Sequence, residues 1–266
     1  MVTEIAKAKL NLALHVRARR PDGYHELETL FAFVADGDVV QVEPSEADSF
    51  TITGPFGALL SGEGDNLVTR AASAFRERFG GGAHAITLDK RLPVASGIGG
   101  GSADAAATLR ALGVLHGVAV DEMFDIADRL GSDVPACLFG RSAIGRGRGE
   151  QLEPVAGLPG MPVLLVNPGV GVSTAEVFRR WDGVDRGPLP VDPRAGRNDL
   201  EPPARAIAPV IDDVLEALAA SQGAGLVRMS GSGATCFALF EDVASRDAAV
   251  EALAGRGWWM LASYLT

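Results

Sequence analysis

The residues best suited to chemistry lie in one run, Pro93-Val94-Ala95-Ser96-Gly97-Ile98-Gly99-Gly100-Gly101-Ser102-Ala103-Asp104, where four glycines fall within five positions. Glycine admits φ > 0 and lets the backbone approach a ligand closely, because no Cβ intervenes. A helical run from Ser102 to about Leu112 follows at once. The first turn of a helix offers unpaired N–H groups and the positive end of its dipole, which suits an anion. A phosphate cradle is one reading of the run, and a tight strand-to-helix turn without a ligand is the other. The run lacks the Lys-Ser/Thr ending of a P-loop and the glycine spacing of a dinucleotide fingerprint.

Other polar groups stand at informative places. Lys9 and Asn11 share the polar face of an alternating strand, and Lys7 shares it too. Pro21-Asp22-Gly23 marks a turn that delivers Tyr24 and His25 just beyond it. Asp133 precedes an apolar run with Pro135 two residues on, which fits a backbone cap as well as a partly desolvated catalytic carboxylate. Ser230-Gly231-Ser232-Gly233 reads as a tight hairpin or a second anion-approaching loop, and the spacing favours the hairpin.

These residues need a scaffold, and the pattern supplies one. Alternation predicts a half-buried strand over residues 6–16, with Ala6, Ala8, Leu10, Leu12, Leu14 and Val16 on the apolar face. A second strand over 29–35 is predicted to turn through Asp36-Gly37-Asp38 into a third over 39–43, with another over 50–53. Asp65-Asn66 predicts the N-cap of a helix that Gly80-Gly81-Gly82 stops. A strand over 84–90 feeds the glycine run, so the run has the strand-before, helix-after context that a phosphate loop requires. A helix is predicted over 121–130. The Pro- and Gly-rich stretch 150–161 predicts a domain boundary. Beyond it come a strand (162–167), helices (174–181 and 203–221), strands (225–229 and 235–240), a helix (244–253) and a strand (258–263). Apart from the doubled first helix this is the β-α-β-β-α-β order of a ferredoxin-like unit. Ser173-Thr174-Ala175-Glu176 makes a capping box, and 188–198 reads as an irregular surface loop.

Composition bounds the partners. A net charge of -10 over 266 residues argues against nucleic acid or an acidic membrane surface but leaves room for a local phosphate site. Cys137 and Cys236 lie far apart in apolar runs and make no metal spacing, so buried reduced thiols are expected. No apolar run has membrane-spanning length and Met1-Val2-Thr3-Glu4 begins no signal pattern, so a cytoplasmic protein is expected. Oligomeric state is not legible; a monomer or weak homodimer is the expectation.

Three segments together, Lys9-Leu10-Asn11-Leu12, the 93–107 loop and Ser230 to Ala234, resemble the superfamily of galactokinase, homoserine kinase, mevalonate kinase and phosphomevalonate kinase. Arg20-Pro21-Asp22-Gly23-Tyr24-His25-Glu26, Asp65-Asn66-Leu67, Gly131-Ser132-Asp133-Val134-Pro135 and Asn198-Asp199-Leu200 narrow the resemblance to a branch acting on a cytidine diphosphate derivative of methylerythritol. The motifs span nearly the whole chain. The resemblance implies an α+β, two-domain small-molecule kinase fold: an N-terminal mixed-sheet domain (1–155) with the phosphate loop, a C-terminal ferredoxin-like domain (156–266), and an active site in the cleft between them. It implies transfer of the γ-phosphoryl of ATP to the acceptor's 2-hydroxyl, in the non-mevalonate route to isoprenoid precursors.

Roles follow by the same resemblance. Asp133 stands beside the attacking hydroxyl with Lys9 as partner, and only the family pattern picks Lys9 over Lys7. Pro93, Gly97, Gly99, Gly100, Gly101, Ser102 and Ala103 surround the ATP phosphates, bridged by Mg²⁺, and no side chain is assigned to the metal. Asn66 and Lys90 lie near the adenine. Asn11 joins Lys9 and Asp133 around the acceptor. Tyr24 and Phe178 stack on the cytosine while His25 reads its edge, although a core role for Phe178 fits its helix face equally. A carboxylate at Asp104 repels phosphate, leaving it as a cap, a water-mediated metal contact or a solvated side chain. The loop departs from the commonest family form at Ile98, Ala103 and Ala95-Ser96, none of which removes a backbone donor. Two rivals stand: a kinase of the same superfamily for homoserine or a sugar, and a catalytically silent nucleotide-binding module.

Overall fold

Two long strands organise the chain. The computed structural model describes residues 1–60, 66–190 and 192–266; Asp65 of the expected cap and Val191 of the expected loop lie outside them. Strand β1 (Val2–Arg19) is longer than the alternation suggested, and from Ala8 to Val16 every residue is buried. The expectation of a half-buried strand therefore fails. Its polar face is covered because Lys9, Asn11 and His15 find hydrogen-bond partners there, which is what makes burying polar groups tolerable.

Strand β2 (His25–Ser45) runs straight through Asp36-Gly37-Asp38, where a turn was expected. A Cβ on Gly37 would lie 2.0 Å from the Ala6 carbonyl oxygen, so the glycine serves a close approach of β1 rather than a turn. Asp38 is fully buried; its Oδ1 accepts from the N–H groups of Arg91 and Leu92 and its Oδ2 from the Lys90 ammonium.

The chain divides into two compact units that interleave: Met1–Ala8, Asp36–Val94 and Gly99–Gly140 form the first, and Lys9–Ala35, Ala95–Ile98 and Arg141–Thr266 the second. Strands β1 and β2 each contribute to both units.

In the first unit, β3 (Ser49–Thr53) runs parallel to β4 (Ala83–Asp89), which pairs antiparallel with residues 39–45 of β2. Helix α1 (Leu67–Phe79) is capped by the Asn66 side chain, which accepts from the Val68 N–H at 2.9 Å. Helix α2 (Gly100–His116) packs against α1. Helices α3 (Phe124–Leu130) and α4 (Val134–Phe139) complete the unit, and the run expected as one helix over 121–130 begins with a 3₁₀ turn. Helix α2 starts two residues before Ser102, because Gly99 takes φ +66° and serves as N-cap.

The second unit holds β5 (Ala143–Gly147) and β6 (Gln151–Pro154), a hairpin that glycine-rich sequence disguised as linker. Strand β5 pairs with residues 27–31 of β2, and a Cβ on Gly145 would meet the Phe31 ring at 2.5 Å. The remaining elements are β7 (Pro162–Asn167), α5 (Thr174–Arg180), α6 (Glu201–Ile207), α7 (Val210–Ala219), β8 (Ala224–Met229), β9 (Cys236–Phe240), α8 (Val243–Leu253) and β10 (Trp259–Tyr264). The sheet order β10-β7-β9-β8, antiparallel throughout, is that of a ferredoxin-like unit. The single helix expected over 203–221 is split at Pro209, which has no N–H to continue the ladder. Leu164, Val166, Val177, Ile211, Val214, Leu218, Phe240 and Leu253 fill the core, each such side chain contributing about 2 kcal/mol through burial.

Candidate functional site

In the first unit the start of α2 is built to leave amides available. Gly99 offers no side-chain cap, and the first turn carries no acidic residue. The leading N–H groups of a helix have no intrahelical partner, so Gly100, Gly101 and Ser102 present donors at the positive end of a 17-residue dipole. Ala103 is buried, and its N–H reaches back to the Gly99 carbonyl at 2.8 Å. The missing hydroxyl at this position thus faces protein.

Beneath this turn lies a charged cluster the sequence did not announce. The Lys90 ammonium contacts Asp38 Oδ2 at 2.5 Å and Asp104 Oδ2 at 2.7 Å, all three side chains being buried. Lys90 was expected near the adenine; its ammonium is instead enclosed by two carboxylates. Asp104 is neither an N-cap nor solvated, and its buried Oδ1 has no hydrogen-bond partner among the described residues. Burial pushes the Asp104 carboxyl up, Lys90 pulls it down, and Asp38 adds to the rise.

Asp133 belongs to the first unit, immediately before α4. Its carboxylate makes no capping hydrogen bond to that helix, so the cap reading does not hold. Asn66, as the cap of α1, has its side-chain oxygen engaged.

In the second unit, residues 95–98 of the glycine run are packed by backbone. Gly97 has φ +78°, and a Cβ there would lie 2.6 Å from the Ser230 carbonyl oxygen and 2.7 Å from that of Gly233. Ser230 Oγ donates to the Gly97 carbonyl at 3.1 Å and accepts from the Asn11 N–H at 3.1 Å. The Lys9 N–H donates to the Ile98 carbonyl at 2.9 Å. The residues 230–235 do join β8 to β9 as a hairpin link, and they also buttress the glycine run. Asn198 ties the same link, its amide donating to the Met229 and Gly231 carbonyls at 2.8 Å each, while Asp199 accepts from the Val16 N–H.

Lys9 is 3% exposed, and its Nζ donates to Asn11 Oδ1 at 2.9 Å. Asn11 Nδ2 donates in turn to Thr29 Oγ1 at 2.7 Å, and Thr29 to the Ala13 carbonyl. This chain fixes the ammonium on β1. Lys7 lies in the first unit beside Arg110 and Glu4, and burial and Arg110 lower its pKa.

The aromatic residues fall into two groups. The His25 and Phe178 rings lie 4.8 Å apart, and Trp181 meets His25 edge-on at 5.8 Å. Phe178 also packs on the core. His25 Nε2 is buried with no hydrogen-bond partner among the described residues, and burial followed by Arg19 lowers the imidazole pKa. Tyr24 is half exposed with the Arg148 guanidinium over its ring at 4.9 Å. Trp181, Arg148 and Thr29 carried no sequence signal, since each acts through a neighbour distant along the chain.

Comparison with known proteins agrees with this geometry. Residues 66–141 match the GHMP kinases N terminal domain and residues 192–257 the GHMP kinases C terminal. Relatives called 4-diphosphocytidyl-2-C-methyl-D-erythritol kinase include one from Rhizorhabdus wittichii, 57% identical over 99% of this chain and 94% of its own. Another, from Erythrobacter litoralis, is 50% identical over the whole of both. A crystal structure of a 4-(cytidine 5'-diphospho)-2C-methyl-D-erythritol kinase superposes with TM-score 0.84 at 41% identity, covering 99% of each chain. A homoserine kinase from Cytophaga hutchinsonii, 20% identical over 98% of this chain and 95% of its own, shares the fold with TM-score 0.71.

Proposed function

We infer the chemistry from one premise: the chain belongs to the GHMP kinases and, within them, to the 4-diphosphocytidyl-2-C-methyl-D-erythritol kinases. It transfers the γ-phosphoryl of ATP to the 2-hydroxyl of 4-diphosphocytidyl-2-C-methyl-D-erythritol, giving the 2-phosphate and ADP. The reaction is a step of the non-mevalonate route to isoprenoid precursors.

Residue roles are our proposal. The hydroxyl oxygen attacks the γ-phosphorus, the bond from that phosphorus to the β–γ bridging oxygen breaks, and Asp133 takes the hydroxyl proton. A tertiary alcohol is a poor nucleophile, so orientation and a nearby acceptor both count. Lys9 meets the charge growing on the transferred group; its fixed place on β1 supports this, because a preorganised cation costs no reorganisation during reaction. In a loose transition state positioning and charge stabilisation supply most of the acceleration, so Asp133 need not be a strong base. Gly99, Gly100, Gly101 and Ser102 hold phosphate oxygens through α2's leading amides. Asn66 adjoins the adenine.

Among the described residues no group of three His, Cys, Asp or Glu side chains is placed to hold a metal. Mg²⁺ accompanying ATP would neutralise charge on the transferred group.

One observation carries the cytosine reading. His25 Nε2 is a buried polar atom with no partner, beside the Phe178 ring. Such an atom is costly unless a ligand completes it. Cytosine offers both a donor and an acceptor on its edge and a face for Tyr24 or Phe178. A substrate without a base leaves these residues nothing to bind. ADP release with the cytidine substrate, homoserine and galactose tests the reading. Turnover is expected with the first, and faster turnover with either other acceptor would overturn it.

A further inference from the structure

The buried cluster under α2 has more carboxylates than cations. Asp38 comes from β2, Lys90 from the residue after β4, and Asp104 from the second turn of α2. Asp38 also takes the N–H groups of Arg91 and Leu92 at 2.6 and 2.8 Å, so it anchors the chain leading into the glycine run. Lys90 sits directly below the helix start: a Cβ on Gly100 would lie 3.1 Å from its Nζ. Anything that shifts Lys90 shifts the floor on which the first amides of α2 rest.

Stability does not explain this arrangement. Burying charged groups costs several kcal/mol each by order of magnitude, and apolar replacements of buried ion pairs are often at least as stable. With all three groups charged the cluster carries a net -1 beside amides assigned to ATP phosphates. With one carboxyl protonated it is neutral and keeps its hydrogen bonds to Lys90. Asp38 has both oxygens engaged, whereas Asp104 has one oxygen, Oδ1, buried and unpartnered. Asp104 is therefore the member suited to carry the proton.

We propose that Asp104 is a positioning residue for ATP, which in its protonated form joins Asp38 in holding Lys90 beneath the start of α2 without setting a negative charge against the phosphates. The upward displacement of its pKa by burial agrees. Among the described residues the charged groups recorded against it are Asp38 from β2 and Lys90 after β4. Helix α4 contributes no charged side chain, and on α1 Arg70, Glu77 and Arg78 are exposed while Arg76 pairs with Asp48. The proposal rests on the assignment of the α2 N-terminus to ATP phosphates.

The sign is definite. As pH rises Asp104 loses its proton, a negative charge appears near the phosphates, and ATP binds less well. Kinetics of wild type and Asp104→Asn between about pH 6 and about pH 9 read this directly. For wild type the KM for ATP is expected to rise by about tenfold, the size expected of one unit charge a few ångströms from a phosphate in a partly screened site. For Asp104→Asn it should stay near the low-pH wild-type value, with kcat within about threefold and the cytidine substrate's KM unchanged. Parallel profiles for the two proteins would overturn the proposal, because the titration of ATP itself is common to both. Calorimetry of wild type with an unreactive ATP analogue at about pH 8, in buffers of different ionisation enthalpy, needs no variant. Net proton uptake is expected, and binding without uptake overturns the role of Asp104. Absence of any binding would instead overturn the assignment of the nucleotide site.

Discussion

The imidazole of His25 lies against the ring of Phe178, with centroids 4.8 Å apart and planes inclined at 35°. One residue comes from the start of β2 and the other from α5, so a strand end and a helix of the second unit together shape one aromatic wall. Among the described residues the Nε2 atom in that wall finds no hydrogen-bond partner, and on the proposed reading the base edge supplies one.

His25→Ala and Tyr24→Ala should each raise the KM for the cytidine substrate by about tenfold or more and leave the KM for ATP unchanged, since base stacking and edge contacts are each worth about 1–3 kcal/mol. Initial rates with one substrate varied at a time give the answer. An equal rise in both constants would remove these residues from base recognition. Phe178→Ala should behave alike but also lower the Tm, because that ring packs on the core as well.

Asp133→Ala should reduce kcat by about a hundredfold or more, in line with loss of a positioned proton acceptor, with nucleotide affinity little altered. Near wild-type turnover would take Asp133 out of the chemistry. Lys9→Met should lose turnover similarly. Asn11→Ala removes an acceptor of Lys9 Nζ and should lower kcat by about tenfold with KM for ATP unmoved.

Gly97→Ala places a methyl 2.6 Å from the Ser230 carbonyl oxygen at a residue with φ +78°. Backbone on the receiving side cannot rotate away, so a loss of about 2–4 kcal/mol is expected in urea unfolding. Gly37→Ala should cost at least as much, because its Cβ would meet the Ala6 carbonyl. A shift of a few tenths of a kcal/mol in either variant would mean that the strands move apart easily.

Asp48 bridges Arg76 and the His84 N–H, and these hydrogen bonds hold its carboxyl down to about 2. A carboxylate depressed in the folded state stabilises above its ordinary value near about 4 and loses that contribution as pH falls. The Tm should therefore decline between about pH 4 and about pH 2, and Asp48→Asn should flatten part of that decline. Both side chains are substantially exposed, so the effect is small and weakens with salt. An unchanged slope in the variant would assign acid sensitivity to other groups.

Where local chemistry decides the structure, the sequence was legible. Asn66 before an amphipathic run, glycines between a strand and a helix, and the element order from β7 to β10 all depend on near neighbours. Misreadings occurred where a distant partner redefined a residue. Asp36-Gly37-Asp38 has turn composition, yet Gly37 answers to Ala6 and Asp38 to residues 90–92. In the β5–β6 hairpin Gly145 and Gly149 answer to Phe31. At Lys90 nothing local reveals the two carboxylates that hold its ammonium, 52 and 14 residues away. Alternation in β1 marked its apolar side correctly but could not reveal that Thr29 and Asn11 would enclose the polar one.

Because β1 and β2 each pass from one compact unit into the other, severing the polypeptide at any single peptide bond cannot liberate either unit whole. During translation, residues 9–35 must wait for Ala95–Ile98 and for the chain from Arg141 onward before their own interior can close. A nascent enzyme of this design spends most of its synthesis incomplete, the situation in which slow, long-range strand pairing invites aggregation and chaperone capture.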